Sequence, residues 1–218
     1  MRLRGVRFGE YHTVDDWNLI LNSKTVETPK AKTTFVSIQD RDGSLDMSEA
    51  LTGEVKYDAR KLSFVFLLTE GDYRHRENMI HEILASIHGK RMNIILDDDM
   101  EKYFDGRVEV TSYSNSKAYG SITVEATCDP YRVSIYGTTE VFSLSSNLEK
   151  FDLENIGDKT VVPTFYVTNT ATIEFDTSQV VLTKGTHVLD GFVLRRGLTS
   201  FSASGIGALT VSWKEGYL

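Results

Sequence analysis

A single cysteine, Cys128, stands among 218 residues. That excludes an internal disulfide and a cysteine-rich zinc site, and at the end of a patterned strand it reads as a small buried hydrophobe. Clustered positive charge is also lacking. The net charge is −7, with 18 basic and 22 acidic residues through Arg132 and 6 and 9 beyond it. Neither half is a basic module, so nucleic acid is not expected as a direct partner, because neutralising phosphates needs clustered Lys and Arg. The longest strongly apolar run, Phe64 to Leu68, is far too short for a bilayer-spanning helix. The basic start, Met1 to Arg7, is not followed by the apolar segment of a secretory signal. Synthesis and folding in a reducing cytoplasm are therefore expected.

Signatures of catalysis are missing as well. No Gly-x-Ser-x-Gly elbow, phosphate loop or dinucleotide fingerprint occurs. His81-Glu82 begins like a zinc-protease helix, but Ala85 stands where the second histidine must share the face. His81 and His88, seven apart, could share a helical face but have no visible third ligand. Asp40-x-Asp42-Gly43 places its glycine fourth and Leu51 twelfth, whereas a calcium loop needs glycine sixth and glutamate twelfth. It reads as an Asp-Gly turn. Asp97-Asp98-Asp99 reads as a solvated acidic turn or a partner contact, since neighbouring carboxylates in a hairpin point in different directions. No catalytic, metal or cofactor-binding residue is nominated, and no cofactor is expected.

What is present is β pattern. Hydrophobic residues make up 40% and charged residues 25%, the composition of a soluble globular chain. Val6 and Phe8 alternate, and Trp17, Leu19 and Leu21 fall on one face of a second strand. Residues 22 to 33 are polar and read as a long loop or edge excursion. Tyr57 to Leu68 is the strongest strand, with Leu62, Phe64, Phe66 and Leu68 on one face and Val65 and Leu67 on the other, a pattern suited to a sheet centre. Asp72 caps a helix over 73–88, carrying Met79, Ile80, Ile83, Leu84 and Ile87 at helical spacing and stopped by Gly89. Strands follow over 92–96, 103–113 and 120–126.

At Thr127-Cys128-Asp129-Pro130-Tyr131-Arg132 the pattern breaks. Pro130 has no amide hydrogen for a sheet and holds Asp129 extended, so a strand must end there. Asp129, Pro130, Tyr131 and Arg132 are the candidate domain hinge. Beyond it come short strands separated by turn formers, among them Lys184-Gly185, Asp190-Gly191 and Gly205-Ile206-Gly207. That pattern predicts a β-sandwich or jelly roll. The fold class expected is mainly β: an N-terminal antiparallel β-sandwich with one packed helix over 1–130, then a C-terminal β-sandwich over 131–218.

Four motifs in order carry a resemblance: Asp42 to Gly53; Tyr57-x-x-Arg60-x-Leu62-x-Phe64-x-Phe66 with the helix after it; Cys128-Asp129-Pro130-Tyr131-Arg132; and the ending Trp213-Lys214-Glu215-Gly216-Tyr217-Leu218. Together they resemble the distal tail protein (Dit) family of long-tailed, non-contractile bacteriophages. The resemblance implies a structural, non-enzymatic protein at the virion tail tip, made in the bacterial host cytoplasm. N-terminal domains would form a hexameric ring, or two stacked rings, that continues the tail tube and lets DNA pass without specific binding. C-terminal domains would be galectin-like sandwiches facing outward. Implied partners are further copies of the chain, the tail-tube protein, the tail-associated hub or lysin protein and a receptor-binding protein, with no membrane involved. The sequence departs from sugar-binding galectins by lacking their His, Asn, Arg and Trp-Gly-x-Glu constellation.

Ring closure requires heterologous contacts built from sheet edges and excursions. The polar 22–33 stretch and the acidic 97–105 hairpin are the candidates, with Lys24, Glu27, Lys30, Asp97, Asp98 and Asp99 as contact residues. An acidic chain also suits a conduit that must release its DNA. The competing expectation is a carbohydrate-binding adhesion module, with Tyr166, Phe192, Trp213 and Tyr217 as a sugar-stacking platform; core or interface positions explain these aromatics at least as well.

Overall fold

A computed structural model describes residues 4–50 and 52–218. The first three residues of the basic start and Leu51, the twelfth position of the tested calcium pattern, lie outside the described residues. The chain is mainly β and divides into two compact units, Met1–Pro130 and Tyr131–Leu218.

The first unit contains β1 (Val6–Phe8), β2 (Tyr11–His12), β3 (Ile20–Val26), β4 (Phe35–Ser37), β5 (Ser44–Asp46), β6 (Arg60–Leu68), α1 (Tyr73–Ile87), β7 (Arg91–Leu96), β8 (Asp99–Asn115) and β9 (Gly120–Cys128). Its main sheet is antiparallel in the order β2-β1-β7-β8-β9-β6-β3. β6 sits between β9 and β3, with Leu62, Phe64, Phe66 and Leu68 buried and Val65 and Leu67 half-buried. That two-sided burial follows directly from its sequence.

The helix is built as its sequence dictates. The Asp72 carboxylate accepts the His75 N–H at 2.8 Å, satisfying one orphan donor of the first turn. The Lys90 ammonium donates to the Ala85 and Ser86 carbonyls at 2.9 and 2.8 Å, where a cation complements the helix dipole. Ile80, Ile83 and Ile87 are fully buried in the core, and Met79 and Leu84 pack half-buried against it. At roughly 1.5–3 kcal/mol for each fully buried aliphatic side chain, this stripe is a large share of the unit's stability.

Two expectations require correction. Trp17 and Leu19 are buried but precede β3, Trp17 at the end of a turn and Leu19 just after it, and β3 continues through Val26, so residues 22 to 26 are strand and not loop. The reason is that β3 is an edge strand. Its backbone pairs with β6 from Ile20↔Leu67 to Val26↔Leu62, through a bulge between Leu21 and Ser23, while its side chains stay largely exposed. Backbone pairing needs no apolar pattern, so composition gave no signal.

The second unit contains β10 (Arg132–Ser134), β11 (Thr138–Leu144), β12 (Glu149–Asn155), β13 (Thr164–Val167), β14 (Thr170–Phe175), β15 (Ser178–Leu182), β16 (Gly185–His187), β17 (Gly197–Trp213) and β18 (Gly216–Tyr217). β17 organises it. Its first half pairs with β12 and β14, and its second half with β11 and β13. The expected turn at Gly205-Ile206-Gly207 is instead a bend within one continuous strand. Gly205 takes φ +154°, and a Cβ there would meet the Thr170 carbonyl oxygen at 2.3 Å. Only glycine allows that approach. Phe165, Phe175, Phe192 and Phe201 form an edge-to-face cluster with centroids 5.0–6.2 Å apart, and this is the core beneath the bend.

Candidate assembly surface

The segment between β3 and β6 leaves the main sheet as a two-legged arm. At its base, Glu27 N–H donates to the Lys61 carbonyl at 3.0 Å, Asp58 N–H to that of Lys30 at 2.8 Å, and Lys32 N–H to that of Lys56 at 2.7 Å. At its end β4 and β5 pair only with each other, from Phe35↔Asp46 to Ser37↔Ser44. The hairpin carries Phe35 at 61% exposure with Val36 at 44%, and Ile38 and Met47 are exposed beside them. A two-stranded hairpin is marginal in water, and a contiguous exposed apolar patch marks an interaction surface. Sequence reasoning overlooked this feature, although Phe35-Val36-Ser37-Ile38 flanked by polar stretches was its visible signal.

The nominated contact residues are distributed unevenly. Lys24 on β3 is ion-paired with Asp98 in the β7–β8 turn, and this pair holds the Asp98 carboxyl below its ordinary range through the lysine's hydrogen bond. β8, β9 and β6 lie between these two places in the sheet order, so the sheet must curl for them to meet. Asp97 turns inward: one carboxylate oxygen accepts the Gly5 N–H at 2.7 Å, and the other lies 3.0 Å from His12 Nε2. His12 is buried, and its Nδ1 accepts the Asp15 N–H at 3.2 Å. Asp99 lies 3.4 Å from the Lys102 ammonium. Glu27 and Lys30 stand exposed at the root of the arm. The three carboxylates of the acidic triplet thus point to different neighbours.

Around the candidate hinge, Arg91 joins Asp105 (3.0 Å) to Asp129 (2.8 Å), and the Asp129 N–H donates to the Asp105 carbonyl at 2.9 Å. The two carboxylates raise the Arg91 pKa, the Asp129 hydrogen bond contributing most. In the second unit, Lys159 lies over the Tyr131 ring at 6.0 Å, and Arg132 donates to the Leu218 carbonyl at 3.1 Å. Pro130 is half-buried where the first unit ends. Cys128 is buried, and burial pushes its thiol up to about 12.

Among the described residues no group of three or more His, Cys, Asp or Glu is placed to hold a metal ion. His88 Nδ1 accepts the Val110 N–H at 3.0 Å, fastening the helix end to β8, while His81 faces solvent beside Glu77. Of the aromatic platform, Phe192 and Trp213 are buried in the core, Tyr217 is half-buried in β18 and Tyr166 alone is exposed. No helix among the described residues is long and apolar enough to cross a membrane.

The fold has a counterpart. The crystal structure of SPP1 Dit (gp 19.1) superposes with a TM-score of 0.77 over 100% of both chains, at 12% sequence identity. The chain has the Dit fold. SPP1 Dit is described as a paradigm of the hub adsorption apparatus in phages infecting Gram-positive bacteria. No family model matches the sequence, and none of the curated proteins does either.

Proposed function

We propose that this protein is a structural subunit of a phage tail tip. The observation that carries the reading is the end-to-end correspondence with SPP1 Dit across both units, which a shared single domain would not give. In this reading the first unit builds a hexameric ring, alone or as two stacked rings, between the tail-tube protein and the tail-associated hub or lysin protein. DNA passes through the ring without being held, which suits a chain of net charge −7. The second unit faces outward towards a receptor-binding protein, and the chain performs no catalysis.

The arm supports a ring built by reaching over. Its exposed Phe35 and Val36 need apolar cover, and a neighbouring copy in a closed ring supplies the same surface to every subunit. Glu27 and Lys30 at the arm's root, with the Lys24–Asp98 pair and Asp99 near the curled edge, form the polar rim of that contact, while Asp97 is held inside the subunit by Gly5 and His12. Asp129 to Arg132 form the hinge between ring and outward unit.

Light scattering behind size exclusion, with negative-stain images of the same peak, tests this reading. Six-fold rings, single or stacked, are expected. A monomer that remains monomeric when mixed with its tail-tube and hub partners would overturn it.

A further inference from the structure

An edge strand leaves a row of main-chain N–H and C=O groups open, and folded proteins blunt such edges with short strands, bulges or charged side chains. The edges of both main sheets carry these devices, with one exception. β2 has two residues and β16 three. β3 has a bulge and Lys24. β12 carries Lys150, Asp152 and Glu154. On β11, Glu140 lies on the side of Phe142, which packs against the core. The exception is β15. Its residues Ser178-Gln179-Val180-Val181-Leu182 are uncharged, free of proline and paired without a bulge. Among the described residues β14 is its one strand partner, and Val181 is 64% exposed.

The register decides which groups are open. The two-residue turn after β14 closes on Phe175↔Ser178, and Ile173↔Val180 and Ala171↔Leu182 follow in step. Alternate pairs of an antiparallel ladder exchange both main-chain bonds, starting with the pair that closes a two-residue turn. The N–H and C=O groups of Gln179 and Val181 therefore point away from β14, to the open edge.

We infer that β15 pairs antiparallel with β15 of a second copy of this chain, about a twofold axis at Val181. The open groups fix the chemistry of the occupant, since only an extended backbone meets them in step. The side chains fix which backbone. On either side of Val181 stands first an apolar residue, Val180 or Leu182, and then a neutral polar one, Gln179 or Thr183. A copy centred there sets Val181 on Val181, Val180 opposite Leu182 and Gln179 opposite Thr183, with no like charges opposed. An axis at Val180 would instead set Gln179 against Val181. The symmetric contact leaves neither edge open. Five paired residues make a small contact, so it is weak between free chains and strengthens where copies are already held together. The inference does not depend on the tail-tip reading.

Cross-linking of the full chain tests it. Cys128 is buried, so Val181→Cys supplies the reactive thiol. With a short bismaleimide this variant should give a covalent dimer on denaturing gels, because the paired positions lie about 5.5 Å apart at Cα. Thr183→Cys alone should not, since its two copies lie about 14 Å apart along the strands. Mixed with Gln179→Cys, it should. Adding Gln179→Pro to Val181→Cys should lower the yield about tenfold without costing a bond to β14, because the missing N–H faces the edge. Circular dichroism verifies that each variant is folded. Leu198→Cys, 73% exposed on β17, measures chance collision. A Val181→Cys dimer no more abundant than that of Leu198→Cys, or undiminished by Gln179→Pro, would overturn the inference. So would a Thr183→Cys dimer as abundant as that of Val181→Cys. Replacing Phe35 and Val36 by serine should leave the Val181→Cys dimer in place, so failure of the ring and failure of this pairing are told apart.

Discussion

Lys24 and Asp98, 74 residues apart in sequence, form an ion pair between the edge strand of the N-terminal sheet and the turn joining β7 to β8. Both side chains are about one-third exposed, at 32% and 35%, so solvent screening limits the pair to about 0–1 kcal/mol. A double-mutant cycle with Lys24→Met and Asp98→Asn, read by urea denaturation, should give a coupling energy in that range. The folded-state pKa of Asp98 lies below its ordinary value of 3.8. Its contribution is therefore present above pH 3.8 and is lost as the pH falls through the folded-state value. Lys24→Met should remove most of that dependence.

Arg76 gives a larger prediction. Only 2% exposed, it donates to the Asn115 side-chain oxygen at 3.0 Å and to the Gly71 and Ser116 carbonyls at 2.6 Å each. It thereby fastens the start of α1 to the β8–β9 connection. Arg76→Ala removes these part-buried hydrogen bonds from a charged donor together with the packing of its buried side chain, and each hydrogen bond to a charged group is worth about 1.5–3 kcal/mol. Chemical denaturation should show a loss of about 3 kcal/mol or more.

Phe35 and Val36 should behave in the opposite way. Being exposed in the isolated chain, they can be replaced together by serine with a stability change within about 0.5 kcal/mol. The same double variant should fail to form rings in light scattering. Rings that survive the change would remove the arm from the interface.

Gly205 is a backbone prediction. Its φ of +154° and the 2.3 Å approach of the Thr170 carbonyl to a Cβ position make Gly205→Ala strained, at a cost of about 1–3 kcal/mol. Thermal unfolding of the variant should start at a lower temperature. Leu209→Thr measures core burial in the same strand and provides a comparison.

Cys128 should resist alkylation. With its thiol pushed up to about 12 by burial, it is neutral at pH 8 and shielded, so iodoacetamide should label it only after unfolding. Because the folded-state pKa is the higher one, its contribution to stability is full below the ordinary value of 9.0. That contribution falls as the pH rises towards 12.

The sequence by itself determined every element whose side chains alternate between core and solvent. β6 was visible because Leu62, Phe64, Phe66 and Leu68 must leave water, and α1 because its isoleucines recur at helical spacing between Asp72 and Gly89. Pro130, which cannot donate to a ladder, marked the end of β9. Features made by backbone pairing or by distant partners were left to the tertiary structure. β3 is held through main-chain bonds to β6, so its polar side chains left no periodic trace. The Asp97 carboxylate turns inward because Gly5 and His12 meet it there, a meeting no local pattern encodes. Gly205-Ile206-Gly207 has the composition of a turn and becomes a bend, because strands on both sides capture the backbone before it can reverse.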